Sequence, residues 1–109
     1  MTLAANGDAA PPTGLLRQPA RLRIMALLDR HGDVGFTEAR TALGLTPGNL
    51  DAHARKLAEA GLLRSRRALL RHGFEVRLRI TPEGVEAFEA AVAELERLVA
   101  DLKAPRTPG

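Results

Sequence analysis

The apolar residues of this chain change their spacing twice, and that change bounds what it can fold into. Up to Gly61 they recur every three or four residues, the period of a helix that buries one face. In "FEVRLRI" they alternate strictly, with Phe74, Val76, Leu78 and Ile80 set between Glu75, Arg77 and Arg79. That is the period of a half-buried strand. "LLRSRRAL" before it reads as a partner strand, and "LRHG" between them can turn, Gly73 tolerating positive φ. From Pro82 the helical period returns and runs to Leu102. The fold class is therefore mainly α with a small β-hairpin, in the order helix, helix, helix, hairpin, helix.

Local signals place the helix ends. In "QPARLRIMALLDRHG" Pro19 suits the first turn, Leu22, Met25, Ala26 and Leu28 recur at helical spacing, and Gly32 stops the helix. "GFTEARTALG" is a short second helix, with Thr37 as its expected cap and Phe36, Ala39 and Leu43 as its apolar side. The third spans roughly 47–60, with Thr46 as cap, Pro47 at the first position and Gly61 as the stop. Thr81, Pro82 and Glu83 open the last helix in the same way. Residues 1–14 are small, polar and rich in Pro and Gly, and are expected to form a disordered tail. Residues 15–81 are the expected domain, 82–103 the last helix and 104–109 a frayed tail.

The chain has 109 residues and no Cys, which suits one small domain and excludes disulfides, thiolate metal sites and a Cys nucleophile. His31, His53 and His72 have no ligand spacing among them, and the single Ser65 lies in no nucleophile-elbow sequence. No phosphate-cradling glycine loop is present. The reading is of a non-enzyme that needs no cofactor and no metal. With no membrane span and no signal-peptide pattern, the expected location is cytoplasmic. The bias to Arg, Ala, Gly and Leu hints at a GC-rich bacterial genome. Charge is unevenly spread: residues 62–81 carry +5 and residues 82–109 carry −3, within a net +3. Such a concentration points to an anionic partner on one face.

The third helix has two unlike sides. Leu50, Ala54 and Leu57 form an apolar stripe with Ala58 beside it, and Leu45 can staple its entrance. The other side offers Gly48, Asn49, Asp51, Ala52, Arg55 and Lys56, which is small, polar and partly basic. Gly48 costs ~1 kcal/mol of helix propensity, and small residues let another backbone come close. A helix entering a DNA major groove by its N-terminal end has these properties. Asn49 can pair with adenine, Asp51 can accept from cytosine, and Arg55 and Lys56 can reach phosphate or guanine. By itself the pattern equally fits an ordinary solvated surface helix. His53 has two readings, a half-buried histidine bonded between helices or a phosphate contact.

Context adds to this. "GFTEARTALGLTPGNLDAHARKLAEAGLL" has the two-helix spacing and the "KLAEAGLL" ending of a winged helix-turn-helix, and an Arg-bearing hairpin follows it directly. Pro19, Arg21, Leu22, Ile24 and Met25, then Gly48, Asn49, Leu50 and His53, resemble a small winged-helix group of bacterial regulators of the MarR/ArsR type. "ITPEG" is similar to their strand-to-helix transition. The resemblance covers about residues 18–103. It implies a winged helix that binds double-stranded DNA and regulates transcription, with Thr46, Pro47, Gly48, Asn49, Asp51, Ala52, His53, Arg55 and Lys56 at the major groove. The wing, about residues 62–80, is expected to bring Arg66, Arg67, Arg71 and Arg77 to backbone or minor groove. His72 and Phe74 stand where relatives carry Asp-x-Arg, so Arg71 at the wing tip is the nearest substitute.

In the last helix Val85, Phe88, Val92, Leu95, Val99 and Leu102 are spaced 3, 4, 3, 4, 3, with Val at each a position. Val85 and Phe88 are expected in the domain core, and Val92, Leu95, Val99 and Leu102 in a homodimer interface. Relatives of this type often bind a small-molecule effector, but the few aromatics here do not indicate a pocket. The competing reading is a winged-helix module that docks on another protein without touching DNA.

Overall fold

The computed structural model describes residues 12–106. Their order is α1 (Pro12–Leu15), α2 (Pro19–His31), β1 (Asp33–Gly35), α3 (Phe36–Leu43), α4 (Pro47–Glu59), β2 (Leu63–Leu70), β3 (Gly73–Ile80) and α5 (Pro82–Leu102). The expected tail is shorter at its inner end than its composition implied. Pro12–Leu15 form a helical turn, and Leu16 directly after it is buried in the core. The rest of that expected tail, residues 1–11, and residues 107–109 lie outside the described residues.

Three helices and the base of the sheet share one apolar core. Ile24, Met25 and Leu28 of α2 meet Leu50 and Leu57 of α4 there, all fully buried. Each such side chain contributes about 2 kcal/mol of burial. Between α3 and α4 the chain turns through Gly44, whose φ of +67° ends α3 in a left-handed residue. The cap of α3 differs from the expected Thr37. The helix starts two residues earlier, after Gly35, whose N–H donates to Glu38 Oε1 at 3.4 Å.

The sheet has three antiparallel strands in the order β1-β3-β2, one more than the expected hairpin. In β1, Val34 pairs with Leu78 and is buried with it, while Asp33 and Gly35 pair with Arg79 and Arg77. Three residues that include Asp and Gly have no strand propensity of their own. They are extended because β3 offers an open edge.

The last helix differs from expectation in which stripe it turns inward. Gly84, Ala87 and Ala91 are buried, whereas Val85 and Phe88 are only half-buried. The core-facing stripe is the one next to the heptad. A small residue is needed at Gly84 because α5 begins tightly against the turn between α4 and β2. A Cβ on Gly84 would run into the Leu62 carbonyl oxygen and approach Ile80 Cγ1 to 2.8 Å. From Leu95 onward every described residue is exposed.

Candidate nucleic-acid interface

Thr46 holds the start of α4. Its Oγ1 accepts from the Asn49 N–H at 3.1 Å, and Pro47 follows with no N–H to satisfy. Leu50, Ala54 and Leu57 then anchor the helix in the core. Thr46, Pro47, Gly48, Asn49, Asp51, Ala52, Arg55 and Lys56 are all exposed along the other side. Nothing lies within 4 Å of where a Gly48 Cβ would stand, so packing within the chain does not require glycine there. Asp51 is not free on this face: Arg55 Nε donates to its Oδ2 at 2.8 Å, one turn away. The carboxylate thus orients the arginine and offsets its charge until a stronger acceptor competes.

Of the two readings of His53, the geometry takes the histidine bonded between helices. It is half-buried, and its Nδ1 accepts from Arg21 Nε of α2 at 3.2 Å. The same guanidinium donates through Nη1 to the Leu15 carbonyl at 3.3 Å, tying α1, α2 and α4 together. Burial, then the charges of Arg21 and Lys56, lower the imidazole's pKa. His53 therefore serves as a helix-to-helix tie.

Strand parity separates the wing arginines. Register pairs Arg64 with Arg79 and Arg66 with Arg77 on the outer face of the sheet. There Arg66 Nη2 meets Asp33 Oδ2 at 2.9 Å, and Arg77 meets Asp33 Oδ1 at 3.3 Å and Glu75 Oε2 at 2.7 Å. Arg77 Nη2 also donates to the Asp33 carbonyl at 3.0 Å. Burial pushes the Asp33 carboxyl up, but its two arginines outweigh that and hold it below its ordinary value. Arg66 and Arg77, expected at DNA, are both engaged with Asp33 and staple β1 to the hairpin.

Arg67 belongs to the other face. It lies opposite Val76 and carries its guanidinium 4.4 Å from the Phe74 ring centroid. Leu69 pairs with Phe74 on the same face. Phe74 and Val76, expected on the apolar face of a half-buried strand, are exposed at 63% and 39%, and Leu69 at 71%. The eight-residue strands reach beyond the helices that bury Leu63 and Leu78 at their base. One signal of this was present: Ser65 and Arg67 share the parity of Leu63, so the inner face turns polar after one residue. A groove lined by Asp51 and Arg55 of α4 and by Ser65 and Val76 of the wing joins the two surfaces. Arg71 and His72 are exposed at the tip.

At the far side, an apolar cleft of 320 Å³ lies between α1–α2 and α5, lined by Leu16, Pro19, Leu22, Ala91, Leu95 and Leu98. An Arg17–Glu94 ion pair of 2.9 Å stands at its edge. Val92 is half-buried, while Leu95, Leu98, Val99 and Leu102 are exposed beyond it. Leu98 falls outside the heptad and was not singled out by it. Among the described residues, no three His, Cys, Asp or Glu side chains come together as metal ligands. Nor is any helix among them long and apolar enough to cross a membrane.

Comparisons with known proteins agree with this geometry. A family model described as "Winged helix DNA-binding domain" matches residues 20–99. Uncharacterized protein MJ0432 of Methanocaldococcus jannaschii is 31% identical over 78 residues, 72% of this chain and 85% of that protein. A transcriptional regulator homologue of Pyrococcus horikoshii OT3 superposes with a TM-score of 0.77 at 30% identity, over 84% of this chain and 90% of the other. A MarR-family transcriptional regulator of Rhodococcus sp. RHA1 superposes with a TM-score of 0.69 at 17% identity, over 87% and 71%, and shares the fold.

Proposed function

The chain belongs to the winged helix DNA-binding domain family, and we propose that it regulates transcription as a homodimer on double-stranded DNA. In this reading α4 enters the major groove by its N-terminal end. Asn49, Ala52, Arg55 and Lys56 face base edges and phosphates, and the wing tip at Arg71 reaches the flanking backbone. The observation that carries it is the division of α4. One stripe is wholly buried, and the other is exposed, small and partly basic, with a glycine that the chain's own packing leaves free. Arg55 pairs with Asp51 on this face until a phosphate or base competes for it.

The second half of α5 supports the dimer. Leu95, Leu98, Val99 and Leu102 are exposed on one helix, continuous with the apolar cleft beside α1 and α2. An apolar patch of this kind, rimmed by an ion pair, marks an interaction surface. A two-fold pair would set two α4 helices one turn of DNA apart.

Selection of bound duplex from a random pool tests both halves. The expected result is a near-palindromic site. Affinity should fall steeply as salt rises from about 50 to about 200 mM, as phosphate neutralisation requires. Arg55→Ala with Lys56→Ala should weaken binding at least about tenfold. No duplex enriched at low salt would sink the DNA reading. A monomer in sedimentation at micromolar concentration, or a dimer unchanged by Leu95→Glu with Val99→Glu, would sink the interface.

A further inference from the structure

The sheet has two edges, and they are unlike. β1 closes one side with three residues that include Asp and Gly. β2 closes the other with eight, Leu63–Leu70, and among the described residues no strand pairs with its far side. Edges of that length are ordinarily blunted by a proline, a bulge or an early end. β2 has none of these: it contains no Pro, and its eight residues pair one to one with β3. Register also fixes which of its backbone groups stay free. The Thr81 N–H donates to the Leu62 carbonyl at 3.2 Å, and antiparallel pairs alternate between bonded and unbonded from there. Arg64, Arg66 and Ala68 thus bond to β3, whereas Ser65, Arg67 and Leu69 turn their N–H and C=O groups to the open edge.

The side chains beside that edge sort by face. On the outer face Arg64 lies directly across from Arg79, both are exposed, and among the described residues neither has an acidic partner. Asp33 and Glu75 are taken by Arg66 and Arg77. Like charges directly opposite are destabilising, and an anion beside them would reverse that. On the inner face Leu69, Phe74 and Val76 are exposed, with Arg67 laid on the Phe74 ring. A groove of 540 Å³ lined by Ala58, Leu63, Arg64, Ser65, Arg66 and Arg79 opens beside the edge and leaves room for another chain.

We propose that the open edge of β2 docks an extended segment of a partner protein in which acidic and apolar residues alternate. The segment adds to the sheet as a fourth strand and takes the free backbone groups of Ser65, Arg67 and Leu69. Its side chains alternate between the two faces. Acidic residues meet Arg64 and the Arg79 behind it, and apolar ones extend the surface of Leu69 and Phe74. A second copy does not fit. Its β2 would set arginine against arginine, its β3 is paired on both sides, and its β1 is three residues long. The site is separate from the DNA reading, because the groove lies at Ala58, near the end of α4 opposite the one assigned to DNA.

The test uses the full chain and a blocked peptide of the length of β2 with Glu and Val alternating. Two further forms carry methyl groups on the backbone nitrogens of either the Val or the Glu residues, which blocks one edge of the peptide strand and spares the other. One form should bind like the parent peptide and the other at least about tenfold more weakly. Amide exchange at Ser65, Arg67 and Leu69 should slow when the peptide binds. Arg64→Ala with Arg79→Ala should weaken it about fivefold and reduce its salt dependence. Ser65→Pro removes a donor that faces the edge and not β3, so the fold should hold while binding falls at least about fivefold. If that variant melts early, the arginine variants and the methylated peptides carry the test. Methylated forms that bind alike would mean that charge alone attracts the peptide, and strand addition is overturned. No binding at about 1 mM would leave the arginines as guards of the edge and remove the site. Edge amides already slow without peptide would put a second copy there, and slowing by duplex but not by peptide would make the edge a nucleic-acid surface. Either result overturns the proposal. Peptide binding in a protein that binds no duplex would sink the DNA reading alone.

Discussion

Two helices of this protein open on nearly the same words, Leu-Thr-Pro-Gly at α4 and Ile-Thr-Pro-Glu-Gly at α5, and the structure uses them differently. Thr46 and Thr81 both accept from the N–H three residues on, at 3.1 and 2.9 Å. There the likeness ends. Thr46 is exposed, and Gly48 beside it has open space around it. Thr81 is buried and also donates to the Gly61 carbonyl at 2.6 Å, while Gly84 lies against the Leu62 carbonyl. The same local device thus serves as a weld in one helix and a free end in the other. The free end is where a partner can approach.

The comparison can be broken by substitution, and the largest effect is expected at the weld. Gly84→Ala forces α5 away from Leu62 and should cost about 3 kcal/mol, read by chemical denaturation. A stable Gly84→Ala protein would mean the close approach is not required. Next is Thr81→Ala, which strands the buried Gly84 N–H and releases the Gly61 carbonyl, for about 2 kcal/mol. Thr46→Ala, losing only an exposed cap, should cost about 1 kcal/mol or less. Equal losses at the two threonines would erase the distinction.

Smaller effects sharpen the account of α4. Folding holds the His53 pKa below that of an unfolded histidine, so between the two values the unfolded chain binds more protons. The stability from His53 is complete above about pH 6.5 and is lost as pH falls toward the lowered value. Denaturation midpoints should decline across that window, and His53→Gln should flatten the decline. An unchanged slope would remove the Arg21–His53 tie from the account. The smallest effect has the opposite sign. Gly48→Ala should stabilise the fold by up to about 0.5 kcal/mol, since the site is helical and open. It should also weaken duplex binding, where the added methyl meets DNA. If stability and affinity rise together, α4 does not approach a partner closely at that turn.

Much of the fold was legible because its signals are local. The buried stripe of α4, the two threonine caps and the alternation of β3 each involve residues within four positions of one another. What stayed hidden depended on distant contacts. β1 exists because residues about forty-five positions later pair with it. The stripe chosen by α5 shifted by one residue because both neighbouring stripes are apolar, and only the approach to Leu62 decides between them. For the site, composition located the basic stretch of 62–81 but could not sort its arginines. Arg66 and Arg67 are adjacent in sequence and lie on opposite faces, one bound to Asp33 and the other laid on Phe74.

By itself, then, the sequence determined the order of the four long helical segments and the hairpin, the starts of α2, α4 and α5, the buried side of α4 and the place where positive charge collects. All of these follow from periodicity and capping, which act over one turn or one strand pair. Only the tertiary structure decided which arginines are committed internally, that His53 ties two helices, and that the wing outruns the core it was patterned to cover. Those outcomes depend on which surfaces meet. The local rules leave that open wherever two faces of an element are equally apolar or equally charged.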